Sequence, residues 1–209
     1  MIPANSIVFA IDDDASVRKG LTRLLRSAGY KSEVFELASD FLQREQHAGP
    51  ACLIVDLHMP GISGMDLQKT LIQSGREEQL VFITGRGDIP MCAQAMKAGA
   101  VDFLQKPFRA DELLQCIERA LARSDEQRRQ SAIKNNVRRL LDLLTPREFE
   151  VMQLVVVGML NKQIAAELGT AEKTVKVHRG RMMEKLRVTS VAELVRLVEK
   201  AGVTSSPVI

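Results

Sequence analysis

Two rhythms of apolar residues alternate along the first 122 positions. Short apolar and β-branched runs at 7–11, 32–35, 52–55, 80–84 and 101–104 each read as a strand. Between them, the segments 16–28, 38–45, 64–73, 89–98 and 110–122 space their apolar residues three and four apart, which places them on one face of a helix. Strands alternating with helices predict βαβ units and a parallel sheet. The first, third and fourth runs are nearly continuous in apolar residues, as strands covered on both faces would be. Five such units make a doubly wound α/β domain, in which ligands bind beyond the carboxyl ends of the strands.

The rhythm changes after Ala122. Residues 123–136 are rich in Arg, Gln, Glu, Ser and Asn and nearly lack large apolar side chains. They read as a polar linker of helical character. From there only the helical period remains, at 146–157, 161–168, 171–186 and 191–201. Thr145, Pro146 and Glu148 supply an N-cap, an N1 proline and an N3 acid. Gly169 stands at a C′ position after Leu168. Residues 203–209 read as a loose tail. No internal repeat is evident. The expected organisation is an α/β domain at 1–124, a linker at 125–141 and an all-α four-helix domain at 142–209.

Composition adds little until it is divided. Hydrophobic residues make up 45% and charged residues 26% of the 209 positions, ordinary values for a globular chain that needs no metal or disulfide staple. Cys52, Cys92 and Cys116 lack ligand-like spacing and sit among apolar neighbours, which fits a reduced interior. Neither a signal peptide nor an apolar run long enough for a membrane span is recognisable, so a cytoplasmic protein with no membrane partner is expected. The net charge of +3 hides an asymmetry: residues 1–124 carry 14 Lys+Arg against 16 Asp+Glu, residues 125–209 carry 15 against 10. A basic second half suits a polyanionic partner, although a solvated basic surface would show the same balance.

Candidate chemistry lies at the strand ends. Asp12, Asp13 and Asp14 follow the first strand, Asp56 follows the third, Thr84 ends the fourth and Lys106 comes just after the fifth. In a parallel sheet these positions share one rim. Clustered carboxylates repel each other unless a cation lies between them, and oxygen donors suit Mg²⁺. An ionised carboxylate can take up a phosphoryl group, whose charge a metal and an ammonium then neutralise. Aspartates after strands also serve as helix caps, the reading preferred for Asp14. Phe103 admits two readings, a core aromatic or a mobile one. His58 and Arg86, two positions after Asp56 and Thr84, either face the pocket or are solvated.

These residues stand in an ordered set. Ile11-Asp12-Asp13, Val55-Asp56-Leu57-His58-Met59-Pro60-Gly61, Thr84-Gly85 and Lys106-Pro107-Phe108 resemble the signature of response-regulator receiver domains, over residues 5–124. The resemblance implies a flavodoxin-like fold with Asp56 as the phosphorylated residue. It implies that Asp12, Asp13, Asp56 and the main-chain carbonyl of His58 hold Mg²⁺, and that Thr84 and Lys106 contact the phosphoryl group. Phe103 matches the switch aromatic, and a cis peptide is implied between Lys106 and Pro107. A haloacid-dehalogenase-type phosphatase also uses an aspartyl phosphate, but such enzymes carry Asp-x-Asp at the nucleophile, and here His58 stands two positions after Asp56. A receiver acting only as a phosphate-independent dimer scaffold is the second alternative, and the full set of pocket residues argues against it.

The second half carries a helix, a turn with Gly169, and a basic helix, which is the helix-turn-helix pattern. At 100° per residue, Val175, Arg179, Met182 and Leu186 share one face of the second helix, with His178 at its margin. Lys173, Lys176, Val177 and Gly180 lie opposite. Lysines there can reach guanine edges and a valine can touch a thymine methyl, whereas a solvated basic face is the plainer reading. His178 reads as packed or phosphate-bonding, since no second metal ligand has suitable spacing.

The run Leu144-Thr145-Pro146-Arg147-Glu148, the segments Asn161-Lys162-Gln163-Ile164-Ala165 and Thr174-Val175-Lys176-Val177-His178, and Lys185-Leu186 resemble the LuxR-type helix-turn-helix over residues 142–202. Residues 87–91 and 96–100 are similar to the FixJ subgroup. Gly180 departs from relatives with a longer polar residue there. The resemblance implies a transcription regulator that is no metabolic enzyme and only assists its own phosphorylation and dephosphorylation. Its implied partners are a sensor histidine kinase, promoter DNA, RNA polymerase and, when phosphorylated, a second copy. The DNA contacts expected are Lys173, Thr174, Lys176, Val177, Arg179 and Arg181.

Overall fold

The computed structural model describes residues 2–85 and 89–202, with the side chains of residues 89 and 201 left aside. Arg86 and the tail at 203–209 lie outside the described residues. The chain divides into two units, Met1–Arg128 and Arg129–Ile209.

In the first unit, β1 (Ile7–Ile11), β2 (Ser32–Phe35), β3 (Ala51–Asp56), β4 (Gln79–Thr84) and β5 (Asp102–Gln105) form one sheet in the order β2-β1-β3-β4-β5. All pairings are parallel. Alternation along β1 sorts its residues onto two cores. Ile7, Phe9 and Ile11 join buried residues of α2 (Ala38–Gln43), α3 (Gly64–Gln73) and α4 (Ile89–Lys97). Val8 and Ala10 join those of α1 (Ala15–Ser27) and α5 (Ala110–Leu141). Helices thus cover both faces, and the continuous apolar runs of β1, β3 and β4 are buried throughout. The strand order reverses between β1 and β3, the place where a doubly wound sheet opens a crevice at its carboxyl edge.

The segment read as a linker after Ala122 is a continuation of α5, which runs to Leu141 without interruption. Its 32 residues contain no Gly or Pro, and its Arg, Gln, Glu and Lys are good helix formers. The Ser124 hydroxyl accepts a hydrogen bond from the Ala51 amide at 3.0 Å, tying α5 to the start of β3. Farther on, Val137 and Leu141 belong to the core of the second unit.

That core is completed by α6 (Pro146–Val156), α7 (Asn161–Glu167), α8 (Glu172–Lys185) and α9 (Val191–Ala201). Thr145 and Glu148 close a capping box on α6. Glu148 is buried and takes a second partner, Lys185 at the end of α8, at 2.5 Å. Gly169 has φ +61° and ends α7 in the left-handed region, which turns the chain directly into α8.

Candidate functional site

The crevice at the carboxyl edge of the sheet is lined from four strand ends. Asp12 follows β1, Asp56 closes β3, Thr84 closes β4, and Lys106 follows β5. The pairings Ile11 with Val55, Asp56 with Ile83, and Thr84 with Gln105 bring those ends level. Carboxylate oxygens of Asp12, Asp13 and Asp56 lie within 4.8 Å of one another. Asp12, Asp56 and Thr84 are buried, whereas Asp13 is exposed at the mouth.

The ammonium of Lys106 bridges two of these acids, donating to Asp12 Oδ2 at 2.8 Å and to Asp56 Oδ2 at 2.5 Å. Burial pushes its pKa down, but the hydrogen bonds and charges of Asp12 and Asp56 outweigh that and hold it above the ordinary lysine value. The remaining oxygens are held by main chain: the Asp14 amide donates to Asp12 Oδ1 at 2.9 Å, and the His58 amide to Asp56 Oδ1 at 3.1 Å. The Lys106 amide donates to the Thr84 carbonyl at 2.7 Å, and the Lys106–Pro107 peptide is cis. Phe103 is 42% exposed on β5, outside both cores. Asp14 caps α1 by accepting from the Ser16 amide, the role preferred for it above.

Two residues essential to this geometry escaped the sequence reading. Gly64 opens α3 against the end of β3: a Cβ there would stand 2.6 Å from the Asp56 carbonyl oxygen. Only glycine lets the helix approach so closely. Arg18 reaches back from α1 to the carbonyls of Asp12 and Asp13, at 2.8 Å each. Its place one turn into α1 was the available signal.

In the second unit, Lys173, Thr174, Lys176, Val177 and Arg181 are exposed on α8, while Val175 and Met182 are buried beneath them. Lys176 pairs loosely with Glu172 at 3.3 Å, both exposed. Arg179 is placed differently: half-buried, it donates to Asn161 Oδ1 of α7 at 2.9 Å. Arg147 donates to the Leu168 carbonyl at 2.6 Å and so pins the turn between α7 and α8. His178 is half-buried, with its Nδ1 shielded from solvent.

Chemically, the pocket is a set of hard oxygen donors that could bind a metal, with one ammonium at hand. No helix among the described residues is long and apolar enough to cross a membrane.

Comparison with known proteins agrees with both halves. The family of response regulator receiver domains matches residues 8–118, and the luxR family of bacterial regulatory proteins matches residues 142–198. Nodulation protein W of Bradyrhizobium diazoefficiens is 45% identical over 96% of this chain and 88% of its own length. The transcriptional regulatory protein FixJ of Azorhizobium caulinodans is 39% identical over 97% of this chain and 96% of its own. Among solved structures, the response regulator StyR is 50% identical, with a TM-score of 0.83 over 94% of this chain and 100% of that one.

Proposed function

We propose, for a chain that belongs to the response regulators joining a receiver domain to a LuxR-type DNA-binding domain, that Asp56 accepts a phosphoryl group from a sensor histidine kinase. An Asp56 carboxylate oxygen attacks phosphorus as the bond to the kinase imidazole breaks, leaving an acyl phosphate and a neutral imidazole. The observation that carries this reading is the convergence of Asp12, Asp13, Asp56 and Lys106 at one strand edge.

The donor set fits Mg²⁺: three carboxylates within 4.8 Å offer only hard oxygen ligands. Asp12, Asp13, Asp56 and the His58 carbonyl would hold the ion, which supplies charge neutralisation for the incoming phosphoryl group. Lys106 then exchanges its bond to Asp56 for one to a phosphoryl oxygen, and the Thr84 hydroxyl donates to another. Phe103, exposed on β5, follows Thr84 inward and alters the surface around residues 88–106. That surface favours pairing of two copies. Two α8 helices then meet two half-sites on promoter DNA, where RNA polymerase is engaged.

On α8, Lys173 touches phosphate, Lys176 and Val177 face bases, and Thr174 and Arg181 contact the backbone. Arg179 acts at the junction, since its guanidinium already holds Asn161. The chain works in the cytoplasm, is no metabolic enzyme, and assists only the gain and loss of its own phosphoryl group. Its expected domain limits are 1–124 and 142–209, the intervening residues lying within α5.

The test is labelling with acetyl phosphate in Mg²⁺ or in EDTA, beside Asp56→Asn, followed by footprinting of the labelled protein. Label should require both the metal and Asp56, and protection should rise with label. Equal labelling of the variant would refute the assignment.

A further inference from the structure

Successive residues of an extended chain send side chains to opposite sides, and their carbonyls alternate as well. Asp12 and Asp13 depart from that pattern. Carboxylate oxygens of both come within 4.8 Å of each other and of Asp56. The main chain bends at Asp13, two residues past the end of β1. The same bend turns two successive carbonyls toward one donor, the Nη1 of Arg18, at 2.8 Å from the Asp12 oxygen and 2.8 Å from the Asp13 oxygen.

We infer that Arg18 is a positioning residue for the metal site, holding the bend that turns both Asp12 and Asp13 toward Asp56. This rests on the reading of that cluster as the Mg²⁺ site. Two adjacent carbonyl dipoles converging on one point repel each other, and a cationic donor placed between them offsets the repulsion. Arg18 is itself anchored: its amide donates to the Asp14 carbonyl at 3.0 Å, and its Nη2 donates to Glu36 at 2.9 Å. The ion pair is the lesser anchor, since Glu36 is 63% exposed against 17% for Arg18. Asp12 has further holds in Lys106 and the Asp14 amide. Loss of Arg18 therefore falls mainly on Asp13, which is free to swing toward the extended arrangement.

Charge alone makes the opposite prediction. A guanidinium beside a divalent site repels the ion, so its removal should tighten binding if electrostatics were the whole effect. The sign of the change separates the two accounts.

The experiment is calorimetric titration of the full chain with Mg²⁺, without any phosphoryl donor, on the wild type, Arg18→Met, Arg18→Lys, Glu36→Gln and Asp13→Asn. Outer partners that orient metal ligands are typically worth about 10–100-fold in affinity. Arg18→Met should weaken Mg²⁺ binding by that order, Arg18→Lys should fall between it and the wild type, and Glu36→Gln should stay within about twofold. Thermal melts in EDTA show whether the fold survives. If Arg18→Met melts far below the wild type, Arg18→Lys decides, because it keeps a donor at the bend. Unchanged or tighter binding by the folded Arg18 variants overturns the positioning role. A wild type that takes up no Mg²⁺, or takes it up equally after Asp13→Asn, overturns instead the metal reading of the cluster, and this role with it.

Discussion

Replacing Lys185 by Met tests how the second unit is held together. The Lys185 ammonium lies 2.5 Å from Glu148 Oε2, and the two side chains are 34% and 3% exposed. At that distance, with an effective dielectric constant of about 20, the gross attraction is on the order of 7 kcal/mol. Desolvation of the buried carboxylate offsets much of it. Breaking a fully buried pair costs about 3–5 kcal/mol because one charge is left uncompensated. Here the Lys185 side chain is one-third exposed and the Thr145 amide still donates to the same carboxylate oxygen at 2.9 Å, so the cost falls to roughly 2 kcal/mol. For a unit of this size that lowers Tm by about 8–16 °C.

Its pH dependence has a definite sign. The Lys185 hydrogen bond, followed by the Thr145 amide, holds the Glu148 carboxyl below the ordinary glutamate value of 4.5. A depressed carboxyl contributes stability above its unfolded pKa and loses it as pH falls through the folded one. The wild type should therefore lose this contribution on acidification below about pH 4.5, whereas Lys185→Met has less to lose, so the gap between them narrows. Glu148→Gln in the Lys185→Met background should recover part of the loss, since a neutral amide needs no counter-charge. Differential scanning calorimetry of the full chain at pH 7 and pH 4 reads both effects on the transition of the second unit. A shift under about 2 °C at pH 7, or a shift equal at both pH values, would refute the argument.

Four further variants test individual residues. Gly64→Ala places a Cβ against the Asp56 carbonyl, so the strand end must move; it should cost about 1–3 kcal/mol in urea unfolding of the first unit and slow acetyl phosphate labelling. Ser124→Ala removes the acceptor of the buried Ala51 amide and should cost roughly 1–3 kcal/mol by the same measurement, with labelling intact. On α8, Lys173→Ala should weaken binding to all DNA sequences alike and lower the salt slope by about one unit, whereas Val177→Ala should lose on the order of 1 kcal/mol of discrimination at one base pair; affinities for single-base operator variants at several salt concentrations distinguish the two, and a Val177 variant that only melts earlier has its side chain in the protein instead.

Legibility in the sequence followed the number of independent signals at each position. The sheet was readable because β1, β3 and β4 are buried on both faces and so spell continuous apolar runs. Strand limits moved by a residue where an end is polar: Asp56 closes β3 and Gln79 opens β4, and neither carries an apolar mark. The far half of α5 reads as a polar linker of helical character for a related reason. Between Ser124 and Val137 no residue is buried, so no apolar stripe marks the period, and only the absence of Gly and Pro remained to argue for a continuous helix.

The two functional surfaces differ in the same way. Pocket residues announce themselves because each polar group closes or soon follows a strand, and a parallel sheet brings all its carboxyl ends to one edge. Arg18 and Gly64 do the holding there without such a mark. One acts through main-chain carbonyls and the other through the lack of a Cβ, and both effects depend on a bend or an approach that exists only in three dimensions. On α8 the periodicity separates the buried Val175 and Met182 from the exposed Lys173, Lys176 and Val177, but a wheel cannot distinguish a side chain free to meet DNA from one already engaged. Arg179 shows this: the wheel put it with the buried residues while its charge suggested DNA, and its guanidinium holds Asn161 on the neighbouring helix. A residue that links α7 to α8 governs how the exposed face is presented. Arg179→Ala should accordingly weaken DNA binding at every salt concentration without the change in salt slope that marks a lost phosphate contact. A slope reduced by about one unit would instead place Arg179 on the DNA backbone.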